Sequence, residues 1–245
     1  MKAIILAAGV GRRLSGVLNR PKSLLSFNGR SLMQRHVDNL SQLGVEEICL
    51  CLGYEQEKIL GAIDCPSGLR LSHRFNPDYR EGSIISLWTM RDDFLGEEDV
   101  LLMDADVLYE SSILADLVNA PRSNLLLIDQ NFVPGDEPVK ICLKGGRIVE
   151  FRKSVDPALD YDTVGESVGF FRFSPAMGAH LLEASNRYIE SGQREAPCEE
   201  AIRDVLLANP NDFDVCDIRG KKWIEIDFPE DIARAEKEIL PAVDN

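Results

Sequence analysis

A short apolar run that ends in glycines and then turns strongly basic opens this chain, and it constrains the fold more than any other feature. Ala3–Ala8 (AIILAA) has the length and composition of a buried strand, and Gly9 and Gly11 follow it. Arg12, Arg13, Arg20 and Lys22 then fall within eleven residues. Glycines at the end of a buried strand let bare backbone N–H groups approach a phosphate. A dinucleotide-binding turn needs a third glycine where Leu14 stands, and a Walker loop needs Gly-Lys-Ser/Thr directly after the glycines, so both are excluded. Gly9 and Gly11 are expected to keep the loop clear of side chains, and Arg13 to face the phosphates of a nucleotide. Lys22 suits a point charge on the transferred phosphorus centre or on the acceptor's anionic oxygens. The competing reading is a tight strand–helix turn with surface cations. The glycines, Arg13 and Arg20-Pro21-Lys22 occurring together count against it.

Strand and helix signals alternate from this point, which favours a mainly parallel sheet covered by helices. Strands are expected at Ile48–Leu52, 69–75 and Val100–Met103. Helices are expected after Ser31, which suits an N-cap, and over Gln56–Ile63, Ser83–Arg91 and Ser112–Val118. From Asn124 the pattern turns strand-rich, with a Gly145-Gly146 hairpin, before helices return at about 175–191 and 198–208. A last apolar run, Trp223–Ile226, leads to Asp227 and a helix that starts at Pro229. With 245 residues and no linker rich in Pro, Gly or Ser, the chain reads as one α/β domain. A nucleotide-binding part is expected over about 1–122, an acceptor-binding insertion over about 123–222, and a C-terminal metal-ligand strand and helix over about 223–241.

The formal charge of −14 argues against partners that are nucleic acids or anionic membranes, because the overall field repels polyanions. It leaves room for a small phosphorylated substrate held by a local basic cluster and a divalent cation. No apolar run approaches membrane-spanning length, and the N-terminal run is too short for a signal segment. Six scattered cysteines form no CxxC pair, so reduced thiols and a cytoplasmic location are expected. The oligomeric state is left open, a homodimer included.

Acidic residues stand where such a sheet would present them. Asp104-Ala105-Asp106 follows one apolar strand and Asp227 follows another, and the carboxyl ends of sheet strands border the ligand crevice in open α/β folds. Two carboxylates from separate strand ends suit Mg²⁺, which keeps its other positions for water and phosphate oxygens. Asp106 and Asp227 are the expected metal ligands. Asp104 is a third candidate ligand and a further acid at the nucleotide, although strand alternation also permits it to point away. In the strand-rich part, Lys140 and Lys153 are candidates to clamp an acceptor phosphate or phosphonate. Glu166 and Glu200 are candidates for an amine or hydroxyls, against the general attraction of a helix's first turn for acids such as Glu199-Glu200. His36, His73 and His180 show no ligand spacing.

LAAGxGxRL…RPKxLL resembles the signature of the nucleotidyltransferases, and DAD is consistent with it. NPDYREGSIISLW and WIEIDFPEDIARAE narrow the resemblance to the phosphocholine and phosphonate cytidylyltransferases. The resemblance implies a Rossmann-like fold with a small strand-rich acceptor-binding insertion. It also implies that Ser83 or Ser86, with backbone near Ala7 and Ala8, reads the cytosine, and that Asp227 is the second Mg²⁺ ligand. Arg12 departs from the family pattern, which commonly has Ser or Thr there, and adds a cation near the outgoing pyrophosphate. The implied reaction joins CMP from CTP to a phosphocholine-like or an aminoethyl- or hydroxyethylphosphonate-like acceptor and releases pyrophosphate. The nucleophile is already anionic, so no general base is required, which suits a chain without a Ser/His/Asp arrangement. The rivals are a sugar-1-phosphate nucleotidylyltransferase using another triphosphate, a DxD glycosyltransferase, which leaves the N-terminal motif unexplained, and a CTP-sensing module without turnover.

Overall fold

In the computed structural model of the chain, residues 1–14, 16 and 19–244 are described. The first strands are β1 (Lys2–Ala7), the hairpin β2 (Ser26–Phe27) and β3 (Arg30–Ser31), then β4 (Glu47–Leu52), β5 (Arg70–Phe75), β6 (Val100–Asp104) and β7 (Val107–Tyr109). After them come β8 (Leu125–Asp129), β9 (Lys140–Lys144), β10 (Arg147–Arg152), β11 (Thr163–Phe173), β12 (Asp214–Asp217) and β13 (Trp223–Glu225). Helices α1 (Leu32–Gln42), α2 (Gln56–Ala62), α3 (Ser83–Thr89) and α4 (Ser111–Val118) lie between strands of the first half. Helices α5 (Pro175–Glu190), α6 (Cys198–Ala208) and α7 (Pro229–Arg234) follow.

Among the described residues nine strands form one mixed sheet, with β10-β9-β11-β6-β1-β4-β5 as its main path and β8 and β12 attached through β11. The half that contains β1 is parallel: β1 pairs with β4 and β6, and β4 with β5. The strand-rich part extends the same sheet in antiparallel fashion, through β11 against β6, β8 and β9. Asp104 pairs with Leu6 of β1, so it is the last residue of its strand and not the first beyond it.

Period-2 alternation explains the two cores. Ala3, Ile5, Leu101 and Met103 face one side of the sheet, where Met33, Val37 and Leu40 of α1 and Ile113 and Leu117 of α4 cover them. Ile4 and Leu102 face the other side, under Ile84 and Leu87 of α3, Leu181 of α5 and Ile202 of α6. With both faces covered, the parallel strands read as continuous apolar runs. Ser31 caps α1 as its sequence position suggests, its hydroxyl accepting from the Gln34 N–H at 3.1 Å. His36 is a core residue: it is fully buried and stacked on Tyr109, and burial pulls its pKa down to about 4.

A third, small core holds the functional end together. Leu14 from the turn after the glycines packs with Leu25, Phe27, Leu108 of β7, Ile224 and Ile226, and with Ile239 near the C-terminus. Apart from this, the loop before α3 is docked on the α5–α6 connection. The Gly82 N–H donates to the Arg194 carbonyl at 3.0 Å and the Ile84 N–H to that of Ala196 at 3.2 Å. A Cβ on Gly82 would overlap the Ala196 carbonyl oxygen and the Glu195 backbone. Gly82→Ala should therefore lose roughly 1–3 kcal/mol in urea unfolding. Gly61→Ala, in α2 with no atom within 4 Å of the added methyl, should be neutral or gain up to about 1 kcal/mol. Equal effects from the two substitutions would contradict the docking.

Candidate active site

The two halves of the site meet because β7 leaves the DAD segment and pairs antiparallel with β13. Glu225 lies opposite Val107, and the Ile226 N–H donates to the Asp106 carbonyl at 3.0 Å. Asp106 and Asp227 are thereby set side by side. Asp231, in the first turn of α7, fixes the backbone there: its Oδ2 accepts from the N–H groups of Asp227 (3.0 Å) and Phe228 (2.8 Å).

Lys22 reaches this pair from a single 3₁₀ turn, Lys22–Leu24, that begins after Pro21. Its Nζ donates to Asp106 Oδ2 at 2.6 Å and to Asp227 Oδ1 at 2.7 Å. Burial alone would lower the lysine pKa, but the two carboxylates outweigh it and hold the ammonium charged well above the usual range. Arg13 adds a second cation, with Nη1 2.9 Å from Asp227 Oδ2 and its guanidinium over the Phe228 ring. Burial pushes Asp227 up, yet Lys22 and Arg13 bring its pKa below the ordinary value. Gly11 has φ +66°, a conformation suited to glycine, and so lets the chain turn back toward Lys22.

Glu225 is a third member that the sequence reading absorbed into an apolar strand. One oxygen each of Asp106, Glu225 and Asp227 lie within 4.8 Å of one another. The Glu225 side chain is exposed to the cleft. The protein packed around it, with the charges of Asp106 and Asp227, raises its pKa. An all-oxygen set of three converging carboxylates fits a hard divalent cation such as Mg²⁺. The lysine ammonium already lies between two of them as a positive charge.

Two cavities adjoin the cluster. One, of about 380 Å³, is lined by Asp129, Phe132, Glu166, Trp223, Glu225 and Asp227 among others. The other, of about 40 Å³, receives Asp104, Lys153, Glu199 and Glu225. Asp104 does not belong to the converging three. It lies against Gly169, whose φ of +79° falls in an irregular stretch of β11 and where a Cβ would strike the carboxylate. Burial and the charge of Asp106 raise its pKa.

The remaining sequence candidates are placed as follows. Lys153 lines the small cavity, paired with Glu137 at 3.1 Å, and Glu166 lines the larger one. Lys140 is turned away from a ligand: its ammonium donates to the carbonyls of Gly135, Pro138 and Lys153 and ties the loop ahead of β9. Glu200 is engaged by the Arg152 guanidinium, while its neighbour Glu199 is the one that faces the small cavity. Ser86 is buried and accepts from Asn76, and Ser83 accepts from the Cys198 N–H at 2.8 Å, so both hydroxyls serve protein contacts here. Ala7 ends β1. The Ala8 carbonyl accepts from Tyr54 N–H, and Gly9 has open space at its α-carbon. Arg12 donates to the Arg80 carbonyl at 2.8 Å, toward the loop before α3.

Besides Glu225, sequence reasoning missed Asp129, Glu137 and Trp223. Asp129 ends β8 just as Asp104 ends β6, a signal that was available. It lies directly across from Glu166 and accepts from the Trp223 indole N–H at 2.9 Å. Burial first, then the Asp129 charge, pushes Glu166 to about 7, partly offset by Lys140 and Arg234. In the unfolded chain Glu166 releases its proton near 4.5. Between these values the unfolded state binds fewer protons, and stability falls as pH rises through the window. Glu166→Gln should match the native protein at pH 4 and exceed it at pH 8 by on the order of 2–3 kcal/mol in urea unfolding. A gap independent of pH would contradict this.

Known proteins agree with the architecture. A family model described as the MobA-like NTP transferase domain matches residues 3–139. A bifunctional IPC transferase and DIPP synthase of Rubrobacter xylanophilus is 32% identical over 97% of this chain and 52% of its own length. A CMP-5'-(3-aminopropyl)phosphonate synthase of Streptomyces rubellomurinus is 26% identical over 98% of this chain and 39% of its own. The chain thus spans about half or less of these two relatives. The structure of the inositol-1-phosphate CTP transferase from T. maritima superposes with a TM-score of 0.77 at 21% identity, covering 100% of this chain and 96% of that one, which shows a shared fold. No described helix is long and apolar enough to cross a membrane.

Proposed function

This chain belongs to the MobA-like NTP transferase domain family, and from that premise we propose that it is a cytidylyltransferase. It joins CMP from CTP to a small phosphorylated or phosphonate acceptor and releases pyrophosphate. The observation that carries the reading is the convergence of Lys22 and Arg13 on Asp106 and Asp227 at the carboxyl ends of the sheet. A site built for phosphoryl-type transfer needs positioning and charge neutralisation more than it needs a proton relay. Among the described residues, the cluster of Lys22, Arg13, Asp106, Glu225 and Asp227 offers cations and carboxylates and no nucleophile–base pair.

An anionic oxygen of the acceptor attacks the α-phosphorus in line, the new P–O bond forms, and the bond to the β-phosphate oxygen breaks with its electrons on pyrophosphate. Lys22 and Arg13 stabilise the charge on the reacting phosphate. Asp106, Asp227 and Glu225 would hold Mg²⁺, whose chemistry when bound is further neutralisation of phosphate charge. The glycine turn brings N–H groups to the nucleotide, and the larger cavity receives the rest of the acceptor.

The cavity wall supports one class of acceptor within this reading. Like charges directly opposite on neighbouring strands are unfavourable, yet Glu166 faces Asp129 across β11 and β8. An ammonium group between them would offset both, and the Trp223 and Phe132 rings suit its neighbouring carbons. The name of the Streptomyces relative, with its aminopropylphosphonate, is consistent with that choice. A sugar phosphate is the second reading, since carboxylates also bind hydroxyls.

Pyrophosphate release, measured with Mg²⁺ while crossing five nucleoside triphosphates with phosphoethanolamine, phosphocholine, aminoethyl- and hydroxyethylphosphonate and sugar 1-phosphates, tests the proposal. Release should require CTP and be fastest with an amine-bearing acceptor. Lys22→Ala should depress turnover by about 10²–10³-fold, as removal of one oxyanion donor does elsewhere. Release with another triphosphate and a sugar phosphate would move the reading to the sugar branch. CTP binding without release would leave a sensor.

A further inference from the structure

Glu137 stands where no motif placed it, in the connection between β8 and β9. Its Oε2 is 2.8 Å from Arg13 Nη2 and 3.1 Å from Lys153 Nζ. One carboxylate oxygen is therefore shared by a cation from the nucleotide half and a cation from the acceptor half. The same residue lines both cavities that adjoin the carboxylate cluster.

Carboxylate and phosphate oxygens are recognised by the same charge-assisted N–H···O⁻ contacts, and arginine with lysine around one point is a common way to hold either. Arg13 also touches Asp227, so the shared point lies beside the acids expected at the reacting phosphate. The bridge itself is weak by construction. Arg13, Glu137 and Lys153 are 44%, 47% and 44% exposed, and solvated ion pairs of this kind contribute little and give way easily.

We propose that Glu137 is a placeholder. It occupies the position between Arg13 and Lys153 that a phosphate or phosphonate oxyanion of the acceptor takes on binding, so that the acceptor enters by exchanging one anion for another. The identity of the oxyanion rests on the nucleotidyl-transfer reading, whereas the exchange does not. Glu137 touches no reacting atom. It sets the threshold at which the acceptor is admitted, and it keeps two cations facing each other across the cleft when no substrate is there.

Glu137→Gln keeps the shape and removes the competing charge. In calorimetric titrations with 2-aminoethylphosphonate and with inorganic phosphate, E137Q should bind both about 3–10-fold more tightly than the native protein. The gain should vanish when Lys153→Gln is made in the same chain. In turnover, the acceptor KM should fall by a similar factor with kcat unchanged, a split that a merely structural loop contact would not produce. Unchanged or weaker binding by E137Q would overturn the exchange, as would a gain that survives Lys153→Gln or an absence of binding by either protein. Because the titrations need no chemistry, a Lys153-dependent gain without pyrophosphate release would retire the cytidylyltransferase reading and leave the exchange standing.

Discussion

The Lys22 ammonium, held at 2.6 and 2.7 Å between Asp106 and Asp227, is the contact on which the functional end of the molecule depends. Three carboxylate oxygens within 4.8 Å would repel strongly in a partly dry cleft. One lysine, with Arg13 beside it, balances them. Its cost is the desolvation of an ammonium, and the elevated lysine pKa shows that the carboxylates more than offset it. The same arrangement is what phosphate transfer calls for: positive charge fixed in place before the substrate arrives, next to acids able to hold a divalent ion.

The fold exists around that requirement in a specific way. The parallel strands bring the glycine turn and the DAD segment to one edge of the sheet, and β13 returns from the far end of the chain to pair with β7. Leu14, Leu108, Ile224 and Ile226 then share a core of their own. Arg13, Glu225 and Asp227 are each next in sequence to one of these buried residues, and Asp106 stands two positions before Leu108. Packing thus converts small hydrophobic contacts into the placement of charges. Asp231 does the same for Asp227 through two backbone hydrogen bonds.

The parts legible in the sequence were those whose chemistry is tied to an element boundary. Arg13 and Lys22 follow a strand end, Asp106 and Asp227 follow two others, and such positions carry function in α/β sheets. Glu225 was hidden because WIEI reads as apolar, although alternation puts it on the same face as Asp227, two residues on. The DAD-to-β13 pairing involves strands of only three residues, too short to announce themselves. Sequence also gives a side chain's position without its direction. Lys140 and Lys153 look alike as lone lysines beside strands, yet one is spent on three carbonyls and the other faces the cleft. Glu137 had no periodicity to betray it, since a loop position acquires meaning only from what folds against it.

On the proposed function, Lys22, Asp106, Glu225 and Asp227 together form one nucleotide-binding centre. Water-proton relaxation with Mn²⁺ in place of Mg²⁺, titrated with the protein and CTP, addresses it most directly. The native protein should bind Mn²⁺ together with CTP. Asp106→Asn and Asp227→Asn should each weaken that binding by at least about tenfold, the low end of what losing even an outer-shell partner of a metal costs. Ternary Mn²⁺–CTP binding that is absent in the native protein, or untouched in both variants, would contradict the claim.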